Sequence, residues 1–122
     1  MTLFKQDNNL QLRQGDTGNI GFKRLPTDKP YNVYFSIYDP DLNTILKEVM
    51  ATSFSQQTGV AVVTFNEDFS NSLPVGEWVW GLKICADGSE DTLIPRTYTD
   101  NGIVINESAP KFTVLDKYVE GD

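Results

Sequence analysis

Three features of this sequence predict an all-β sandwich. Side-chain character alternates with period two along much of the chain, which on a pleated strand sends one set of residues to a core. Turn-forming residues interrupt the alternation at short intervals, as they do in sandwiches. Apolar residues make up 39% and aromatic residues 11%, enough large side chains for 122 residues to bury a hydrophobic core.

The alternation is clearest in three segments. Val33, Phe35 and Ile37 share one face against Tyr34, Ser36 and Tyr38. Ala61, Val63 and Phe65 share another against Val60, Val62 and Thr64. Trp78, Trp80, Leu82 and Ile84 form the longest, against Val79, Gly81, Lys83 and Cys85. Weaker strands are expected at Leu10 and Leu12, Ile20 and Phe22, Leu93 and Ile94, Ile103 to Ile105, and Phe112 and Val114. Ile45, Leu46, Val49 and Met50 would also line up on a helix, but the segment is short for one and follows a hairpin-like turn, so it is read as a strand. Glu67 to Leu73 is expected to make a single helical turn, stopped by Pro74 and Gly76.

The total is about eight or nine strands, the count of an immunoglobulin-like antiparallel β-sandwich. One domain over residues 1–122 is expected, with its core in about 9–116 and a frayed tail at about 117–122. The core should hold Phe35, Ile37, Val63, Phe65, Trp78, Trp80, Leu82, Ile84 and Phe112.

Charge and composition exclude several classes of function. Seventeen acidic residues against ten basic ones give a net charge of −7, which disfavours nucleic acid and anionic membrane surfaces as partners. No apolar run approaches the ~20 residues of a bilayer span, and Met1 to Gln6 lacks the apolar core of a signal peptide. Synthesis in a cytoplasm is expected. Cys85 is the only cysteine, so no internal disulfide can form. Histidine is absent, which removes Ser-His-Asp and Cys-His catalysis, His-ligated metals and an imidazole switch.

No phosphate loop, dinucleotide fingerprint or nucleophile elbow is present, and no catalytic residue, cofactor or metal site is assigned. Asp39, Asp41 and Asn43 have the spacing that opens a calcium loop, but Thr44 replaces the required Gly and Met50 the required Glu. Asp87, Glu90 and Asp91 read as a solvated hairpin tip. Trp78 and Trp80 could form a sugar-stacking platform, yet they run in phase with Leu82 and Ile84, as core residues do. Asn106-Glu107-Ser108 matches a glycosylation sequon, read as chance without a secretory signal.

The order of the motifs resembles a known family. Gln14-Gly15-Asp16-Thr17 leads into the Ile20 and Phe22 strand, and Val33-Tyr34-Phe35-Ser36-Ile37-Tyr38-Asp39 turns back to Ile45-Leu46-Lys47. Gly59-Val60-Ala61-Val62-Val63-Thr64-Phe65 precedes Leu73-Pro74-Val75-Gly76-Glu77-Trp78, then Gly81-Leu82-Lys83-Ile84 and a late Phe112-Thr113-Val114. This is similar to the immunoglobulin-like sandwich at the N-terminus of baseplate upper proteins of tailed phages and prophages of Gram-positive bacteria. The likeness covers roughly residues 9–116. It implies a non-catalytic structural protein of a virion tail, partnered by other tail or baseplate proteins or by copies of itself. The family's longer helical regions have no counterpart in this sequence. The rival class is a carbohydrate- or cell-surface-binding module, which saturable sugar binding would reveal.

A protein interface is expected where the strands of Tyr34 to Tyr38 and Val79 to Cys85 lie side by side. Their non-core faces would bring Tyr34, Tyr38, Val79 and Cys85 together, with Gly81 leaving a shallow gap. The competing expectation is that another part of the same chain covers the patch.

Overall fold

The computed structural model describes residues 3–6, 9–41, 44–95 and 97–116. They form a β-sandwich with twelve strands and one short helix among the described residues. The larger sheet runs β1 (Leu3–Gln6), β2 (Asn9–Arg13), β12 (Lys111–Leu115), β8 (Gly76–Ala86), β4 (Asn32–Asp39) and β5 (Thr44–Met50). The smaller runs β3 (Gly18–Phe22), β7 (Val60–Phe65) and β6 (Ser53–Ser55).

β8 organises the larger sheet. One of its edges pairs along Val79 to Cys85 with β4. The other is shared: β12 takes Gly76 to Val79, and β9 (Ser89–Ile94) takes Leu82 to Ala86. The β8–β9 hairpin turns on Asp87 and Gly88, both at positive φ, the backbone that a two-residue hairpin loop needs. A second hairpin, β10 (Thr97–Asp100) and β11 (Ile103–Asn106), turns in the same way on Asn101 and Gly102 and forms its own two-stranded sheet.

The strand count exceeds the expected eight or nine because β1, β6 and β10 are only three or four residues long. Segments that short carry too few alternations to register as a period. Pairing is antiparallel throughout except between β12 and β2, which run parallel. Ile45 to Met50 is a strand, but a bulge between Ile37 and Tyr38 in the pairing shifts its phase. Leu46 and Val49 therefore pack against the core, whereas Ile45 and Met50 stay exposed.

The helix α1 (Glu67–Asn71) begins where Asn66 Oδ1 accepts the Phe69 N–H at 2.8 Å, with Glu67 and Asp68 in its first turn. It lays Phe69 against Phe65, ring centroids 5.1 Å apart. Buried Ser70 ties the helix to the β2–β3 turn, accepting the Gly15 N–H and donating to the Asp16 carbonyl. No helix among the described residues is long and apolar enough to cross a membrane.

Between the sheets the core centres on Phe35, which is fully buried. Its ring lies 5.1 Å from Trp80, 5.2 Å from Phe65 and 6.0 Å from Phe112. Of the nine expected core residues, eight are buried and Trp78 is not. It packs against the core near the start of β8, opposite Phe112. There it is half-buried, and its indole N–H donates to the Pro74 carbonyl at 2.9 Å.

Candidate functional site

The outer face of the larger sheet carries the residues singled out from the sequence. In β4 the side chains of Tyr34, Ser36 and Tyr38 point away from the core, because Val33, Phe35 and Ile37 point into it. Register sets Tyr38 opposite Val79, Ser36 opposite Gly81, Tyr34 opposite Lys83, and Asn32 opposite Cys85. All five expected residues therefore lie on one face of two neighbouring strands, but they do not form one patch. Tyr38, Val79 and Gly81 cluster at one end, and Cys85 lies at the other.

Between them runs a charged network that reasoning strand by strand does not show. Lys83 Nζ lies 3.4 Å from a Glu48 carboxylate oxygen on β5 and 3.3 Å from one of Glu90 on β9. The Ser36 hydroxyl donates to Glu48 at 2.9 Å, and the ammonium sits 5.7 Å from the centroid of the Tyr34 ring. Burial pulls the Lys83 pKa down, but the hydrogen bond to Glu90 and the charges of Glu48 and Glu90 outweigh it, so it stands above the ordinary lysine value. The polarity of this face comes from β5 and β9 as well as from Ser36 and Lys83. Only the cross-strand register brings them in.

Cys85 lies half-buried beside Glu90, with Sγ 3.8 Å from Oε1. Burial pushes its thiol pKa up and the Glu90 charge adds to that, so the group is held as a thiol and is no activated nucleophile.

Gly81 lines a groove on this face, but the space directly above it is narrow. It is buried, and a Cβ there would stand 2.8 Å from the Ile94 carbonyl oxygen and 3.5 Å from Tyr38 Cε1. Part of the patch is thus covered by the same chain, where the end of β9 crosses β8. Beside that crossing a groove of about 280 Å³ opens on the face, with Tyr38 and Ile45 to one side and Ile94 and Pro95 to the other. Burial raises the Tyr38 phenol pKa. Exposed Ile45 and Met50 of β5 flank Tyr38 and Tyr34 on the same face.

The remaining candidates resolve into local structure. The Asp39 carboxylate accepts the Asp41 N–H at 2.9 Å, a turn-forming bond, and Asn43 lies outside the described residues. Asp87 pairs with Lys29 at 3.5 Å on the surface. Among the described residues no cluster of His, Cys, Asp or Glu is arranged to hold a metal ion. A tryptophan platform is ruled out by orientation, since Trp80 is 1% exposed and Trp78 faces the same way. The side chain of Asn106 in the sequon and the tail after Asp116 lie outside the described residues.

No protein family and no curated protein matches this chain. Six solved chains match it. One of them, the N-terminal domain of phage TP901-1 ORF48, is 13% identical over 93% of this chain and 91% of that one, with a TM-score of 0.48. That is a likeness of shape only.

Proposed function

We propose that this protein is a non-catalytic building block of a phage or prophage tail, acting through protein–protein contacts made by the outer face of its larger sheet. The order of motifs between residues 9 and 116 supports the tail setting, and those motifs fall on the strands of a sandwich. The observation that carries the contact surface is the composition of that face. Tyr34, Tyr38, Ile45 and Met50 lie together on β4 and β5, the latter two 55% and 54% exposed. An ordinary solvent-facing sheet would place charged residues or Thr there. Aromatic and Met side chains are what interface cores use.

The partner is a neighbouring tail protein or a second copy, and the setting is the virion tail. Co-expression with the products of adjacent genes, followed by size-exclusion chromatography with light scattering, tests this. The wild type should enter a stable complex or self-associate, and a Tyr34→Ser, Met50→Ser variant should remain free. Serine is preferred to lysine at position 34, because the Lys83 ammonium lies against that ring. A wild type that stays monomeric with every adjacent product, or a variant that assembles equally well, would sink the proposal.

A further inference from the structure

The groove beside the β8–β9 crossing has a chemistry distinct from the rest of the face. Its apolar end is built by Tyr38 and Ile45 facing Pro95, and its polar end by Ser36, Lys83 and Thr92. The volume, about 280 Å³, lies just below the range of drug-sized pockets, which suits one small ring rather than a chain of them.

Charge decides what kind of ligand fits. The Lys83 ammonium already faces two carboxylates, so an incoming anion would find Glu48 and Glu90 beside its only cation. An incoming cation would meet that ammonium at the polar end. Neither sign of ion gains. A purely aliphatic ligand would desolvate Ser36, Lys83 and Thr92 without replacing their hydrogen bonds to water.

The polar end is equipped for neutral hydroxyls. An ammonium has three donors, and two of those on Lys83 serve Glu48 and Glu90, which leaves one. The Ser36 hydroxyl donates to Glu48, so its oxygen is left to accept. The exposed Thr92 hydroxyl can do both. The ion pairs also hold the Lys83 head in place before any ligand arrives, which lowers the ordering cost of binding.

We infer that this groove binds a neutral monosaccharide unit, with the apolar C–H face of a pyranose ring against Tyr38, Ile45 and Pro95 and its hydroxyls on Ser36, Lys83 and Thr92. A pyranose combines an apolar face with a rim of paired donors and acceptors, the same combination the groove presents. The groove shares Tyr38 and Ile45 with the contact face proposed above, so the two readings are told apart at Tyr34 and Met50, which lie outside the groove.

The test is a titration of the ¹⁵N-labelled protein with the methyl glycosides of glucose, galactose, N-acetylglucosamine and rhamnose, followed by NMR. At least one should produce saturable shifts concentrated at the amides of Ser36, Tyr38, Gly81 and Thr92, with a dissociation constant in the millimolar range expected of so small a contact. Thr92→Val, an exposed and near-isosteric change, should weaken binding about tenfold while the spectrum stays dispersed. Tyr34→Ser should leave it unchanged. The inference is overturned if all four glycosides give only linear, unsaturated shifts. It is equally overturned if Thr92→Val leaves the dissociation constant unchanged.

Discussion

Replacing Phe35 with alanine tests the sandwich where it is most tightly determined. The ring is fully buried and within 6.3 Å of four other aromatic rings, those of Phe22, Phe65, Trp80 and Phe112. Two of these, Phe22 and Phe65, come from the opposite sheet, so the side chain joins the two layers. Deleting a buried Phe costs about 3–5 kcal/mol, and each well-placed ring pair accounts for ~0.5–1.5 kcal/mol beyond simple burial. A domain of this size has roughly 5–15 kcal/mol in total, so the variant should be near the edge of folding. With an unfolding entropy of roughly 2.1 cal/mol/K per residue, 122 residues lose about 4 °C of Tm per kcal/mol. The expected fall is therefore about 12–20 °C by calorimetry, with a matching loss in urea titration.

The adjacent residue supplies the control. Tyr34 points to the other face and is half-buried, so Tyr34→Ala should cost about 1 kcal/mol or less. A one-residue error in the phase of β4 would exchange the two results, because every side chain of the strand would change faces. A Phe35→Ala loss below about 1.5 kcal/mol, or one no larger than that of Tyr34→Ala, would refute the packing described above.

Gly81→Ala should destabilise by about 1–3 kcal/mol in urea titration, because its Cβ would meet the Ile94 carbonyl oxygen at 2.8 Å and backbone cannot rotate away. A neutral result would mean that β9 does not cross β8 there. In a spectrophotometric alkaline titration Tyr31 should ionise late. The Asp28 carboxylate accepts its hydroxyl at 2.6 Å, and this hydrogen bond holds its pKa up at about 12. The folded protein keeps that proton to higher pH than the unfolded chain, so the bond stabilises below about pH 10 and its contribution is lost as pH rises towards 12. Asp28→Ala should return one late phenol to the ordinary range, and an unchanged titration curve would rule the bond out. EDTA should leave Tm unmoved, since the Asp39 carboxylate is used within its own turn. A drop of several degrees would restore a structural cation.

What could be read from the sequence follows the range over which each signal acts. The pairing of β4 with β8 is legible because both are long and keep one apolar face, so burying that face fixes which residues look outward. The hairpin turns at Asp87-Gly88 and Asn101-Gly102 are legible because two adjacent residues hold the whole requirement. Trp78 is less buried than its phase suggests, because periodicity gives the direction of a side chain but not how fully its neighbours cover it. The network of Ser36, Glu48, Lys83 and Glu90 is invisible in any one segment, since its members come from β4, β5, β8 and β9 and meet only through register. Bulges sharpen the difficulty: a single shifted residue in the β4–β5 pairing decides that Ile45 lies outside and Leu46 inside.

Gly81 shows where local inference stops. A missing side chain in an otherwise filled strand marks a place where something else comes close. From one strand, that something could be a partner or empty space. The answer lies thirteen residues further on, in the carbonyl of Ile94, which needs the volume that a Cβ would take. The same crossing lifts Pro95 to the rim of the groove opposite Tyr38. The glycine therefore shapes this face in two ways: it lets β9 close over β8, and it forms part of the lining of the groove that opens there.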